Sequence, residues 1–346
     1  MSTPEGSPAA EDRAAPTSER RGRPRPWLLV LALLLVCLLG AGVAWFVRDS
    51  SRPSSCEVVR NDARVKKALG DRYEEGMACA ELGAAVKAVT VGQAPGKHSL
   101  GQAQAMKDVL LAVAESTDRT DGGLDAGLRL PLAQVLADYG ADLQENMGLT
   151  PVDYVRNGLP SKPAWKDEDG VHVSVDWKTG LLPVVRAVSE DSGAYIVIRD
   201  AMTLQGAEEL AATKPDSTGN LLSAPAAHSA WALGNLDGVA ADVVRDLGKV
   251  RGQEWRAAVL AGLSSAGKGE KAAVPAFSED AAGHLVARWR VDVNDKGTEA
   301  LESQGASMFG EWCNAVGVAG GGREAARERV ESGQKSARRE TLTYLD

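Results

Sequence analysis

Residues 236–250 read LDGVAADVVRDLGKV. Leu236, Val239, Val243, Leu247 and Val250 recur at intervals of three and four, which lines them up on one face of a helix with polar residues opposite. Ala103, Met106, Leu110 and Val113 repeat the pattern earlier in the chain. Aromatic residues make up only 5% of the 346, and the apolar positions are mostly Leu, Val and Ala, which suits closely approaching helices better than strands. The 44% hydrophobic content is enough for a sizeable core. The expected fold is therefore mainly α.

A different pattern runs from Trp27 to Val47. It contains no charged side chain, and 21 residues rising about 1.5 Å each match a hydrocarbon layer of roughly 30 Å. Trp27 and Trp45 stand near its ends as interfacial anchors, bracketed by Arg25 and Arg48. The lipid bilayer is thus the first expected partner, through residues 27–47, with a single crossing. Arg13, Arg20, Arg21, Arg23 and Arg25 precede the run, while Arg48, Arg52 and Arg60 follow it. That bias puts the N-terminus in the cytoplasm and the C-terminal part outside the cytoplasm, although Arg64, Lys66 and Lys67 narrow it. A cleaved signal peptide ending near Gly42-Val43-Ala44 is the competing reading, against which stands a run longer than the usual h-region of about 7 to 15 residues. Val36 before Cys37 argues against a lipoprotein, and no twin-arginine consensus follows Arg20-Arg21. Gly40 and Ala44 form a small-xxx-small pair through which two membrane helices could pack as a homodimer.

The organisation that follows is a disordered cytoplasmic tail over 1–26, the membrane helix over 27–47, a linker over 48–55, and helical subdomains over 56–158 and 171–346. The tail is rich in Pro and charge and lacks the apolar residues that offset ordering entropy. It carries five arginines against four carboxylates, so a net charge of –8 leaves –9 on the remainder. An acidic unit repels a polyanion, which excludes nucleic acid as a partner. Turn residues cluster at Gly92–Lys97, Thr120–Gly123, Asn157–Pro163, Lys214–Gly219 and Ala266–Pro275. Val171, Val173, Val175 and Trp177 alternate with His172, Ser174 and Asp176, a strand signature near 171–177. Either this strand pairs with Tyr195–Ile198, or it is an extended connector between the subdomains, with a boundary near Leu159–Gly170. The charge-dense segment Arg323–Arg339, with Glu331 and Lys335 at i, i+4, reads as a solvated terminal helix with a thin apolar face.

Cys56, Cys79 and Cys313 fall beyond the membrane segment, where disulfides persist. Cys56 to about Leu69 and Tyr73 to about Thr90 read as two helices joined by a tight turn at Gly70-Asp71. The hairpin brings Cys79 back to Cys56, and their bridge would contribute about 3 kcal/mol. Cys313, between Trp312 and Asn314, is expected as a buried free thiol.

No chemical constellation emerges. His98, His172, His228 and His284 stand apart, without an HExxH or a carboxylate at ligand spacing. Gly-Lys-His-Ser at 96–99 fails as a phosphate loop: only three residues separate Gly92 from Gly96, and His98 displaces the hydroxyl residue. Asp292, Asn294 and Gly297 match a calcium loop, but Lys296 and Ser303 occupy positions that need ligand oxygens. Catalytic, cofactor-binding and metal-ligating residues are therefore expected to be none.

Cys56 and Cys79 around Ala68-Leu69-Gly70-Asp71-Arg72-Tyr73, Ala103-Gln104-Ala105-Met106-Lys107, Leu136-Ala137-Asp138-Tyr139 and Arg186-Ala187-Val188-Ser189-Glu190-Asp191 carry a resemblance. The chain resembles uncharacterised actinobacterial helical proteins found around Esx-type (type VII) secretion systems. The resemblance implies a helical fold and a secretion-associated setting, and no catalytic residue. The expected function is that of a membrane-anchored extracytoplasmic interaction or scaffold protein of the cell envelope, with an envelope protein as partner. The rival is an envelope hydrolase that cleaves wall polymer with carboxylates assembled only by the fold.

Overall fold

The computed structural model describes residues 53–94, 96–119, 123–215, 220–264, 274–318 and 320–346. The tail, the apolar run with Trp27 and Trp45, the Gly40–Ala44 pair and parts of four expected loops lie outside the described residues. Among the described residues, no helix is long and apolar enough to cross a membrane.

Caps set the early boundaries. Helix α1 (Ser55–Asn61) begins where Ser54 Oγ accepts from Glu57 N–H, and α2 (Ala63–Leu69) where Asp62 accepts from Arg64 N–H at 2.8 Å. One helix was expected over Cys56–Leu69. Asp62 interrupts it because a carboxylate satisfies free N–H groups best from an extended N-cap. After a 3-10 turn at Gly70–Arg72, α3 runs Cys79–Thr90, later than the start expected at Tyr73, with Glu81 Oε2 accepting from Ala78 N–H. Cys56 and Cys79 are disulfide-bonded, tying α1 to α3. Helix α4 (Leu100–Arg119) opens on a reciprocal capping box between Ser99 and Gln102, and Ala103, Met106, Leu110 and Val113 are all buried.

Next come α5 (Ala126–Asp138), α6 (Gly140–Met147) and α7 (Val152–Asn157). The β element is smaller than expected and pairs differently. Val171–His172 (β2) joins antiparallel to Trp165–Lys166 (β1), with Trp165 opposite His172. Tyr195–Ile198 is not its partner, because that segment lies inside a helix. A π-helical turn, Trp177–Leu181, leads to α8 (Leu182–Val188) and α9 (Ser192–Ala211). Across 159–170, where the sequence places a boundary, α8 packs on α4 and α5, and α9 packs on α5 and α6. Pro53–Asp346 groups as one compact unit.

Helix α10 (Asn220–Ser264) carries the opening motif. Leu236, Val239 and Val243 are fully buried, each contributing about 1.5–3 kcal/mol by area. Val250 instead is 68% exposed. Gly248 adopts φ 74°, kinking the helix and ending the stripe; beyond it Trp255, Val259 and Leu263 turn inward.

The chain closes with α11 (Ala281–Lys296), α12 (Thr298–Glu302), α13 (Gln304–Val316) and α14 (Gly321–Leu345). The terminal helix is not a solvated one. It makes the most extensive helix pair of the fold, against α10, and buries Ala326, Val330, Gln334, Ala337 and Thr341. Gly234 and Gly238 let the backbones approach: a Cβ at 234 would come within 2.2 Å of Gln334 O, and one at 238 within 2.6 Å of Thr341 Cβ.

Candidate functional site

The four histidines that lack local partners all acquire carboxylates through the fold. His98 Nε2 lies 2.6 Å from Asp138 Oδ2 with its ring stacked on Tyr139, and His284 Nε2 lies 3.1 Å from Glu311 Oε1. The first pair is enclosed, and the second is part-exposed, with His284 Nδ1 held 2.8 Å from Pro275 O. The other two converge on one short helix.

Helix α6 carries Asp142 and Glu145 one turn apart, so both point to one side. On the β2 side, Tyr154 of α7 donates its hydroxyl to Asp142 Oδ1 at 2.6 Å. His172 places Nδ1 3.2 Å from the same oxygen and Nε2 3.0 Å from Asp167 Oδ1. The hydrogen bond to Asp142 raises the His172 pKa to about 9 against the opposing effect of burial, with both carboxylates adding to the rise. Burial first, and then the Asp142 charge, pushes the Tyr154 phenol up, so the hydroxyl stays protonated as the donor to Asp142.

On the helical side, His228 of α10 sits between two glutamates, Nε2 3.4 Å from Glu145 Oε2 and Nδ1 3.8 Å from Glu209 Oε2 of α9. Burial raises the Glu145 pKa; the imidazole of His228 offsets part of that rise, and Glu209 and Asp142 add to it. For His228, burial opposes the charged form, but Glu209 and Glu145 outweigh it and hold the ring above its ordinary value. Ser229 Oγ donates to Glu209 Oε2 at 3.3 Å and accepts from Gln144 Nε2 at 3.1 Å. One atom each from Glu145, Glu209 and His228 lies within 4.8 Å of the others, a spacing open to a metal ion.

An exposed apolar face adjoins this cluster. Leu149, Val152, Val155 and Leu159 are 55%, 80%, 62% and 52% exposed, while Tyr154 points inward. The buried Lys107 of α4 fastens α7 from beneath by donating Nζ to Asn157 O at 2.5 Å, and burial lowers its pKa to about 8. Asp153 and Arg156 pair with each other at 2.5 Å, so the face carries little unbalanced charge.

Cys313 is a buried free thiol in α13, as expected, and burial pushes its pKa up, which leaves it a poor nucleophile. Asp292 and Asn294 lie inside α11 rather than in a calcium loop. A groove of about 410 Å³ between α9 and α11 holds one carboxylate, Asp200, which pairs with Arg290 at 3.0 Å. Spacing alone missed Glu145, Glu209 and His228, because 83 residues separate the first from the last. The apolar face is not legible from spacing, because Leu and Val three and four residues apart line a core as readily as a surface. Comparison of the chain with protein-family models, with curated proteins and with solved structures finds no match.

Proposed function

We propose that this protein is a membrane-anchored component of the cell envelope, tethered through residues 27–47, whose extracytoplasmic helical unit acts by binding another protein. The observation that carries the reading is the exposed run Leu149, Val152, Val155 and Leu159. Four large apolar side chains facing water within eleven residues are costly to a monomer and typical of a recognition surface. The paired charges of Asp153 and Arg156 give no preference for a polyanion, and the net charge of –9 beyond the tail disfavours one. A protein surface with its own apolar patch is the occupant that fits.

The Cys56–Cys79 disulfide supports an oxidising compartment, which agrees with the arginine bias around the apolar run. The resemblance to proteins around Esx-type systems supports a secretion-associated envelope role. The hydrolase rival finds less support. The His228 imidazole lies against both Glu145 and Glu209, so neither carboxylate stands free as the acid or nucleophile a glycosidase needs.

Photo-crosslinking side chains at Val152 and Val155, in the native membrane, should give one defined adduct that is absent from Glu328, an exposed residue of helix α14. Val155→Asp should remove the adduct placed at Val152. Equal labelling from Glu328, or no adduct at α7, would refute the surface. Protease added to wall-stripped cells should digest the helical unit and spare an N-terminal tag; loss of the tag would reverse the topology.

A further inference from the structure

We propose that Glu145, Glu209 and His228 form a binding site for a divalent first-row cation of the zinc class, clamping α6, α9 and α10 together. The donor set is one imidazole and two carboxylates, which suits Zn²⁺ and its neighbours and leaves a position for water. Bonds of about 2.0–2.1 Å at tetrahedral angles set ligand atoms about 3.3 Å apart. His228 Nε2 and Glu145 Oε2 already stand at 3.4 Å, and all three residues offer an atom within 4.8 Å of the others. Glu209 Oε2 stands 3.8 Å from Nδ1, the other ring nitrogen; its side chain is 25% exposed and has the freedom to turn toward the Nε2 side, where Glu145 already stands, and the partial exposure of all three leaves an entry path.

Three further features point the same way. His228 Nε2 is buried and has no hydrogen-bond partner, although it faces a carboxylate. Buried ring nitrogens are seldom left this way. The ring is seated in a cradle at the end of α6, where a Cβ on Gly148 would come within 2.3 Å of that nitrogen. The fully buried Gln144 holds Ser229 with Nε2, leaves its own Oε1 without a hydrogen-bond partner, and through Ser229 Oγ orients Glu209. This is the support that metal ligands receive from their surroundings, with Ser229 as a positioning residue.

The site is independent of the α7 surface and is tested without a partner. Calorimetric titration of the full-length chain in detergent with Zn²⁺ should give one site per chain and raise the thermal midpoint. Co²⁺ should give the intense visible d–d band of a low-symmetry, four-coordinate site. Glu145→Gln, which keeps size and removes charge, should abolish the band while the helical circular dichroism persists, as should Glu209→Gln. Ser229→Ala should weaken binding by about tenfold and keep the band. Absence of saturable Zn²⁺ binding, or binding unchanged in Glu145→Gln and Glu209→Gln, would overturn the proposal and leave the cluster an imidazole held by two carboxylates. Saturation by Ca²⁺ in preference to Zn²⁺ would equally overturn it, because the imidazole would then have no part.

Discussion

Arg199 of α9 donates Nη1 to Asp237 Oδ1 of α10 at 2.5 Å, and solvent reaches almost none of either side chain. The remaining guanidinium hydrogens go to Gln304 Oε1, Leu301 O and Tyr195 Oη, while Gln334 Nε2 of α14 donates to Asp237 Oδ2. One ion pair therefore joins five helices, α9, α10, α12, α13 and α14, and its charges are spread over neutral partners that leave few lone pairs unmet. Burying charge this deeply is costly, and the cost is offset only while both partners are present.

Asp237→Ala should accordingly lower unfolding stability by about 3–5 kcal/mol, since it strands the guanidinium. Replacing both residues, Arg199→Met with Asp237→Leu, should cost less than the single change. Urea unfolding of each variant, followed by circular dichroism, measures the difference. A single mutant losing under about 1 kcal/mol would mean that the pair is not enclosed as described.

The close approach of α10 and α14 gives a second test. Gly234→Val drives a branched side chain into the Gln334 carbonyl, whereas Gly310 of α13 has open space at its Cβ position. The valine should cost about 1–3 kcal/mol or more by overpacking. Gly310→Ala should be neutral or slightly stabilising, because alanine favours the helix. Limited proteolysis should release the C-terminal helix in the first variant and spare it in the second.

These two contacts mark where sequence reading succeeded and where it stopped. The stripes at Ala103–Val113 and Leu236–Val243 were legible because an apolar period of 3.6 needs no knowledge of what it packs against. The C-terminal helix was misread because its buried face consists of Ala, Val, Gln and Thr, and its fit comes from glycines about a hundred residues earlier. Most histidine partners were illegible for the same reason, since Asp138, Asp142, Glu145, Glu209 and Glu311 lie 19 to 83 residues from the rings they meet, whereas Asp167 stands five residues before His172. Val250 fits the stripe by spacing and leaves it by geometry, because Gly248 permits a backbone angle that periodicity cannot register.

His172 makes stability depend on pH. Its folded pKa is raised from 6.5 to about 9 by Asp142, with Asp167 assisting, while Tyr154 and Glu145 also adjoin Asp142. A raised folded value means that the imidazolium contacts stabilise fully below about pH 6.5, the unfolded value, and that the contribution fades as pH climbs through 9. The thermal midpoint should fall over that window, and His172→Gln should flatten this part of the profile. An NMR titration placing the His172 midpoint at or below 6.5 would refute the assignment.

The Cys56–Cys79 bridge closes a loop over a sequence separation of 23 and fastens α1, which otherwise rests mainly on α4. Chain-entropy arguments assign such a loop about 3 kcal/mol. Replacing both cysteines by serine should lower unfolding stability by about that amount and free α1 to exchange its amide hydrogens early, while α10 and α14 stay protected. Cys313 gives the internal control: buried among Phe309 and Trp312, it should resist a maleimide in the folded protein and react once denaturant opens the core. Non-reducing peptide mapping should find residues 56 and 79 linked. A linkage through Cys313, or unchanged stability in the double serine variant, would contradict the packing of α1 and α3 described above.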